Sequence, residues 1–155
     1  MGKKNYRPLK SDIVEEIRLM KIIGLGALVL AALVSTPAFA GDPTGVWMRA
    51  NGNSKIRIDN CGSAVCGTVV WEKTPRKDVY NPDASKRDRP VTGVRVLLGM
   101  KPSGTPDQWK GEVYNAEDGK TYTGYITLQG ANSMKLQGCV LGGLICKSDT
   151  WSRAN

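Results

Sequence analysis

Side chains that commonly do chemistry are scarce in this 155-residue sequence, and histidine is absent. That removes Ser-His-Asp and Cys-His catalysis, His-ligated zinc and an imidazole pH switch. The four cysteines, Cys61, Cys66, Cys139 and Cys146, are spaced CxxxxC and CxxxxxxC. Those spacings fit zinc sites poorly, and a nucleophilic thiol would find no base to activate it. Glu117 and Asp118 could form an acid/base pair. However, Ala116-Glu117-Asp118-Gly119-Lys120 is also what a hairpin turn requires, with Asp to bond its own backbone and Gly for a positive φ. The stretch from Asp78 to Asp83 lacks the spacing of a calcium loop. No phosphate-cradling glycine motif and no Ser–Lys motif occur. The expectation is therefore a protein that is not an enzyme, with no catalytic residues, no metal and no cofactor.

The basic balance reads first as a device for solubility and second as a hint of a partner. The chain carries 22 Lys+Arg against 14 Asp+Glu, a net +8. Aromatic residues do not interleave with the basic run, which argues against nucleic acid. If the charge selects a partner, anionic envelope lipid, lipopolysaccharide or cell-wall polymer fits better.

Residues 1–40 read as an address. Lys21 precedes Ile22 to Val34, which is 13 apolar or Gly positions, and Ala38-Phe39-Ala40 follows. The run is shorter than the ~20 residues a spanning helix needs. Its flanks are those of a signal peptide cleaved after Ala40, leaving no transmembrane anchor. Glu15 and Glu16 are unusual ahead of such a segment and favour Met20 as the start. The remaining 41–155 form one domain of net charge +5. The expected location is periplasmic or secreted. An even cysteine count in an exported chain reads as disulfides, and of the three pairings open to it, the local ones within each short bracket are favoured.

The elements that must position these residues are strands. Lys55 to Asp59 alternates polar and apolar, and Gly67 to Trp71 is β-branched and aromatic. Val94 to Met100, Gln108 to Tyr114, Thr121 to Leu128 and Ser133 to Cys139 follow, with Val46 to Met48 before them and Ile145 to Arg153 after. Turn signals separate about eight strands and no helical period intervenes, so the class is all-β. Gly67, Gly111, Gly124 and Gly138 fall inside strand patterns. Such glycines mark corners or close approach and favour a closed up-and-down antiparallel barrel, or else they leave room for a ligand. The inward candidates for ligand contact are Trp71, Trp109, Val113, Tyr122, Ile126, Met134 and Leu136. The polar stretch from Lys73 to Arg89 is a long loop with a helical turn capped by Asp83.

Gly45-x-Trp47 opens the first strand and Trp151-x-Arg153 ends the last. In a closed barrel these strands are neighbours, so a guanidinium can stack on an indole and close that end. The pattern resembles the Gly-x-Trp…Arg signature of lipocalins. More broadly, Asp42 to Trp47, Cys61-Gly62 with Cys66-Gly67, Asn81-Pro82-Asp83, Arg89-Pro90, Glu117 to Tyr122, Gly138-Cys139 and Cys146-x-Ser148-x-Thr150-Trp151-x-Arg153 resemble a bacterial family, domain of unknown function 2147. The resemblance covers residues 42–153. It implies an exported, lipocalin-like barrel and brings no activity and no site. Where members of that family often carry Leu, Lys86 stands here, which argues against an apolar lid. Arg is common at Lys147 and Gln at Asp149.

Two functions follow as expectations. One is a non-catalytic barrel holding a small apolar or amphipathic ligand. The other is an envelope-interaction protein with a filled barrel, binding protein, lipid or peptidoglycan through its surface. Mass spectrometry of the intact protein from its own envelope is expected to show a chain starting at Gly41 with all four thiols oxidised. A chain that retains residues 1–40 would refute cleavage after Ala40.

Overall fold

The computed structural model describes residues 41–154, so the expected signal peptide at 1–40 lies outside the described residues. Eight strands run in order: β1 Gly45–Met48, β2 Ser54–Cys61, β3 Ala64–Glu72, β4 Arg95–Pro102, β5 Gln108–Asn115, β6 Lys120–Leu128, β7 Ser133–Val140 and β8 Ile145–Arg153. Each pairs antiparallel with the next and β8 pairs with β1, closing the barrel. In this topology the β1–β2, β3–β4, β5–β6 and β7–β8 connections share one end. The chain termini and the other connections share the opposite end.

Inward residues alternate, as a sheet with one buried face demands. Ile56 and Ile58 on β2, Ile126 on β6 and Met134 on β7 are fully or almost fully buried, as are Leu97 and Met100 on β4, where a register shift after Leu98 puts the two inward residues three positions apart. On β3 the alternation breaks as well. Ile56 pairs with Val69 but Lys55 pairs with Trp71, leaving Val70 as an extra residue. This β-bulge reverses the parity of the strand's end. Trp71, expected inside, is 41% exposed and lies beneath the Lys55 ammonium on the outer surface. Glu72 is turned inward in its place and is buried.

The strand glycines divide into two kinds. A Cβ at Gly67, Gly111 or Gly124 would fall 2.4 to 2.7 Å from Leu97, the Leu98 carbonyl or Val113. These three permit the close approach that a small, tightly coiled barrel needs. At Gly138 the nearest atom would be 3.7 Å away, on Tyr122, so this glycine leaves space inside.

The end that holds the termini is shut by one side chain. Arg153 lies over the Trp47 indole, 4.3 Å from its centroid. The same guanidinium donates to the Thr44 carbonyl at 2.7 Å, Ala131 at 2.7 Å and Asp42 at 3.2 Å. Gly45 lies alongside at φ +119°, where a Cβ would come 2.6 Å from Arg153 Nη1. The Trp47 indole N–H donates to the Pro43 carbonyl.

The long connection after β3 is folded down, not free. It contains a short helical turn at Ala84–Lys86, capped by the Asp83 side chain accepting from the Ser85 amide. Its two limbs pair through Lys77 and Pro90. Disulfides join Cys61 to Cys66 beside the β2–β3 turn and Cys139 to Cys146 beside the β7–β8 turn.

Replacing Arg153 with Met is expected to cost about 2 kcal/mol or more, from the lost stacking and charged hydrogen bonds. Gly45→Ala should cost about 1–3 kcal/mol through backbone strain. Urea melts of both variants check this. Losses below about 0.5 kcal/mol, the range of ordinary surface changes, would show that the seam does not depend on them.

Candidate functional site: a cavity at the open end of the barrel

The inside of the barrel is filled at one end and hollow at the other. A cavity of about 580 Å³ opens at the end opposite Arg153. Its deeper wall is apolar, formed by Ile56 and Val69, Val96 and Leu97, Val113 and Leu136, with Trp151. Its mouth is polar, with Arg49, Glu72, Arg76, Glu117, Asp118, Lys147 and Asp149.

The expected ligand-contacting residues separate by depth. Val113, Tyr122 and Leu136 line the cavity. Trp109, Ile126 and Met134 are buried but belong to the packed core and do not border it. Trp71 is excluded by the bulge that turns it outward. Trp151, expected to help close the barrel end, is instead buried against the cavity. It lies two residues along β8 from Arg153, so it faces inward one step nearer the mouth.

Five charged side chains form a chain across the mouth. Asp149 Oδ2 accepts from Arg49 Nε at 3.3 Å, and Arg49 Nη1 reaches Glu117 Oε1 at 3.3 Å. Arg76 Nη2 lies 3.8 Å from the same Glu117 oxygen, and Arg76 Nε donates to Glu72 Oε1 at 2.9 Å. At one terminus the Trp151 indole N–H also donates to Asp149 Oδ2 at 2.9 Å. At the other terminus Glu72 Oε2 is buried and has no partner among the described residues. Such an orphan costs about 1–3 kcal/mol or more relative to a satisfied oxygen.

These groups come from separate segments. Arg49 continues the inward alternation of β1 after Trp47. Asp149 is an inward residue of β8. Glu117 sits in the β5–β6 turn, whose Gly119 adopts φ +69°. Glu72 is inside because of the bulge. Arg76 belongs to the long loop, where its carbonyl accepts from the Val91 amide at 2.9 Å. Glu117 is legible in the sequence as a partner of Asp118 or as a turn residue, and no motif in the sequence marks Arg49, Glu72, Arg76 or Asp149 as its neighbours. The one available signal was the alternation of β1 and β8 carried one step beyond their tryptophans.

Two further clusters set the rim. The Tyr122 hydroxyl donates to Asp118 Oδ2, and the Lys120 amide donates to Oδ1. Burial opposes the Asp118 charge, but these bonds prevail and hold its carboxyl below the ordinary range. Under the long loop, fully buried Asp78 accepts from Tyr114 at 2.5 Å, Asn81 at 2.8 Å and Arg89 at 2.9 Å. Burial again opposes the charge, and again the three donors outweigh it and lower the carboxyl. Burial, followed by the bond to Asp78, pushes the Tyr114 hydroxyl up to about 12. This cluster pins the loop that carries Arg76.

The tip of the β7–β8 hairpin is apolar and open to solvent. Val140, Leu141, Leu144 and Ile145 are 41 to 85% exposed above the Cys139–Cys146 disulfide. Val140 and Ile145 also border the cavity.

A closed eight-strand antiparallel barrel with one plugged end and one open end is a lipocalin-like fold. Its structure is similar to that of protein HP1028 from the human pathogen Helicobacter pylori, described as belonging to the lipocalin family. The TM-score is 0.65 at 20% identity, covering 74% of this chain and 84% of that one. Residues 45–153 match the family described as uncharacterized proteins conserved in bacteria, DUF2147. The chain belongs to that family. No curated protein matches it.

The Asp78 cluster makes an acid-dependent prediction. Its carboxyl is depressed on folding, so its contribution is complete above the ordinary value of about 3.9 and is lost as pH falls through the lowered value. Tyr114→Phe removes one donor and should cost about 1–2 kcal/mol at neutral pH. It should also move the onset of acid destabilisation to higher pH. Urea melts across the acid range test this, and an unchanged onset would show that Tyr114 does not sustain the charge.

Proposed function

We propose that the protein is a non-catalytic, exported bacterial barrel that binds a single small amphipathic molecule in its open-ended cavity. The observation that carries this reading is the cavity of about 580 Å³, with an apolar floor beneath a polar mouth. Ligand sites are of this size, about 300–1,000 Å³, and have this composition, mostly apolar with a few placed polar groups. Eight-stranded barrels hold one small ligand when their interior is not filled by side chains. Both disulfides accord with an oxidising compartment.

Gly138 supplies the test. It lines the cavity and has an ordinary φ, so a larger side chain there enters the space without backbone strain. The neutral apolar fluorophore N-phenyl-1-naphthylamine is expected to bind the mature, oxidised protein with a blue-shifted emission. Gly138→Phe should weaken that binding about tenfold or more, the effect of roughly 1.4 kcal/mol, with little change in stability. No probe binding by the wild type, or equal binding by Gly138→Phe, would defeat the reading.

The exposed tip of the β7–β8 hairpin favours a second reading, contact with envelope material through the surface. Co-sedimentation with vesicles of phosphatidylethanolamine and phosphatidylglycerol checks it. Salt-sensitive binding that Leu144→Ser abolishes would support this reading, and no binding at low salt would exclude a lipid partner of that kind.

A further inference from the structure

The ion-pair chain at the mouth has two ends, and only one is finished. Asp149 ends on the Trp151 indole N–H, whereas Glu72 ends on an oxygen with no partner among the described residues. The chain holds three carboxylates and two guanidiniums, so it lacks one positive charge. Glu72 is also the firm end. Its side chain is 4% exposed and held by Arg76 at 2.9 Å. Glu117, by contrast, is 51% exposed and held at 3.3 and 3.8 Å. Charge-assisted hydrogen bonds are typically about 2.7–2.9 Å, so only the Glu72 pair is tight.

The bulge in β3 is what brings this carboxylate inside. Without the extra Val70, strand parity would place Trp71 within the barrel and Glu72 outside. An apolar tryptophan has been turned out and an acid turned in, at the boundary between the apolar floor and the polar mouth. Beside Glu72 is buried Ser54, its register partner on β2, which also borders the cavity.

We infer that the ligand's head is a hydrogen-bond donor bearing positive charge, a primary ammonium, which seats against Glu72 and supplies the donor that its Oε2 lacks. The apolar part of the same molecule lies along Val113, Leu136 and Trp151. An anionic head is disfavoured because the mouth already sets four carboxylates, Glu72, Glu117, Asp118 and Asp149, against three cations, Arg49, Arg76 and Lys147, and it would add a fifth negative charge. Arg49 and Arg76 are already engaged by those carboxylates, and the third mouth cation, Lys147, is exposed and forms no ion pair among the described residues. A neutral alcohol could donate to Glu72 but would leave the charge imbalance in place.

This inference rests on the cavity reading, and one experiment separates their failures. Displacement of N-phenyl-1-naphthylamine from the mature protein is measured near neutral pH with decylamine, decanol and decanoate, which share a chain and differ in the head. The expected order is decylamine first, about tenfold ahead of decanol, with decanoate weakest. Glu72→Gln should collapse the gap between amine and alcohol. Because that change weakens the tie between buried Glu72 and Arg76 of the long loop, the wild-type ranking is the primary readout and does not depend on the variant folding. If the probe binds and all three heads displace it equally, or decanoate leads, the head assignment is overturned while the cavity reading stands. If the probe does not bind at all, both fall.

Discussion

The seam between β1 and β8 is the constraint on which the rest of the barrel depends. It has only two registered pairs, Trp47 with Arg153 and Met48 with Ser152, because β1 is only four residues long. Backbone hydrogen bonds alone make a thin closure there. The Arg153 guanidinium reinforces it by stacking on Trp47 and donating to three carbonyls drawn from both sides of the seam. A barrel has no free edge only while that seam is shut. The hollow interior therefore relies on a charged side chain at the far end from the cavity.

From that plug the interior changes character along its axis. Trp47, Ile58, Met100 and Met134 are packed to full or near-full burial. One or two inward positions higher, the residues become Val113, Leu136 and Gly138, and space opens. Higher still they become Arg49, Glu72, Lys147 and Asp149. β8 shows the whole progression on one face, from Arg153 through Trp151 and Asp149 to Lys147. A strand whose inward face reads in this order cannot bury all of it in a dry core, since unpaired charge is costly there. A water-accessible mouth, with charges paired across it, satisfies the same residues.

The loop after β3 is part of this mouth. Its polar composition suggests a solvated flap, yet Asp78 at its root is fully buried, and Tyr114, Asn81 and Arg89 all converge on it. An anchored loop can present Arg76 to Glu72 and Glu117 in a defined place. The charge chain thus joins β1, β3, β8, the β5–β6 turn and the long loop, and it frames the opening through which any ligand must pass.

Local pattern determined most of the architecture. Alternation, turn glycines and β-branched runs placed all eight strands to within a few residues, because period-two burial is written directly in a half-buried strand. The pairing of first and last strands followed from closure, and Gly45, Trp47 and Arg153 were legible as neighbours on that ground. Tertiary structure decided what alternation cannot encode. One extra residue at Val70 exchanged Trp71 for Glu72 inside the barrel, and a bulge leaves no mark in a β-branched run. Depth decided which inward residues meet the cavity: Val113, Tyr122 and Leu136 do, while Trp109, Ile126 and Met134 do not, although their patterns are alike. The meeting of Arg49, Glu117, Arg76, Glu72 and Asp149 was equally hidden. Apart from Glu72 and Arg76, which are four residues apart, they are far apart along the chain, and only the closed barrel brings them to one rim.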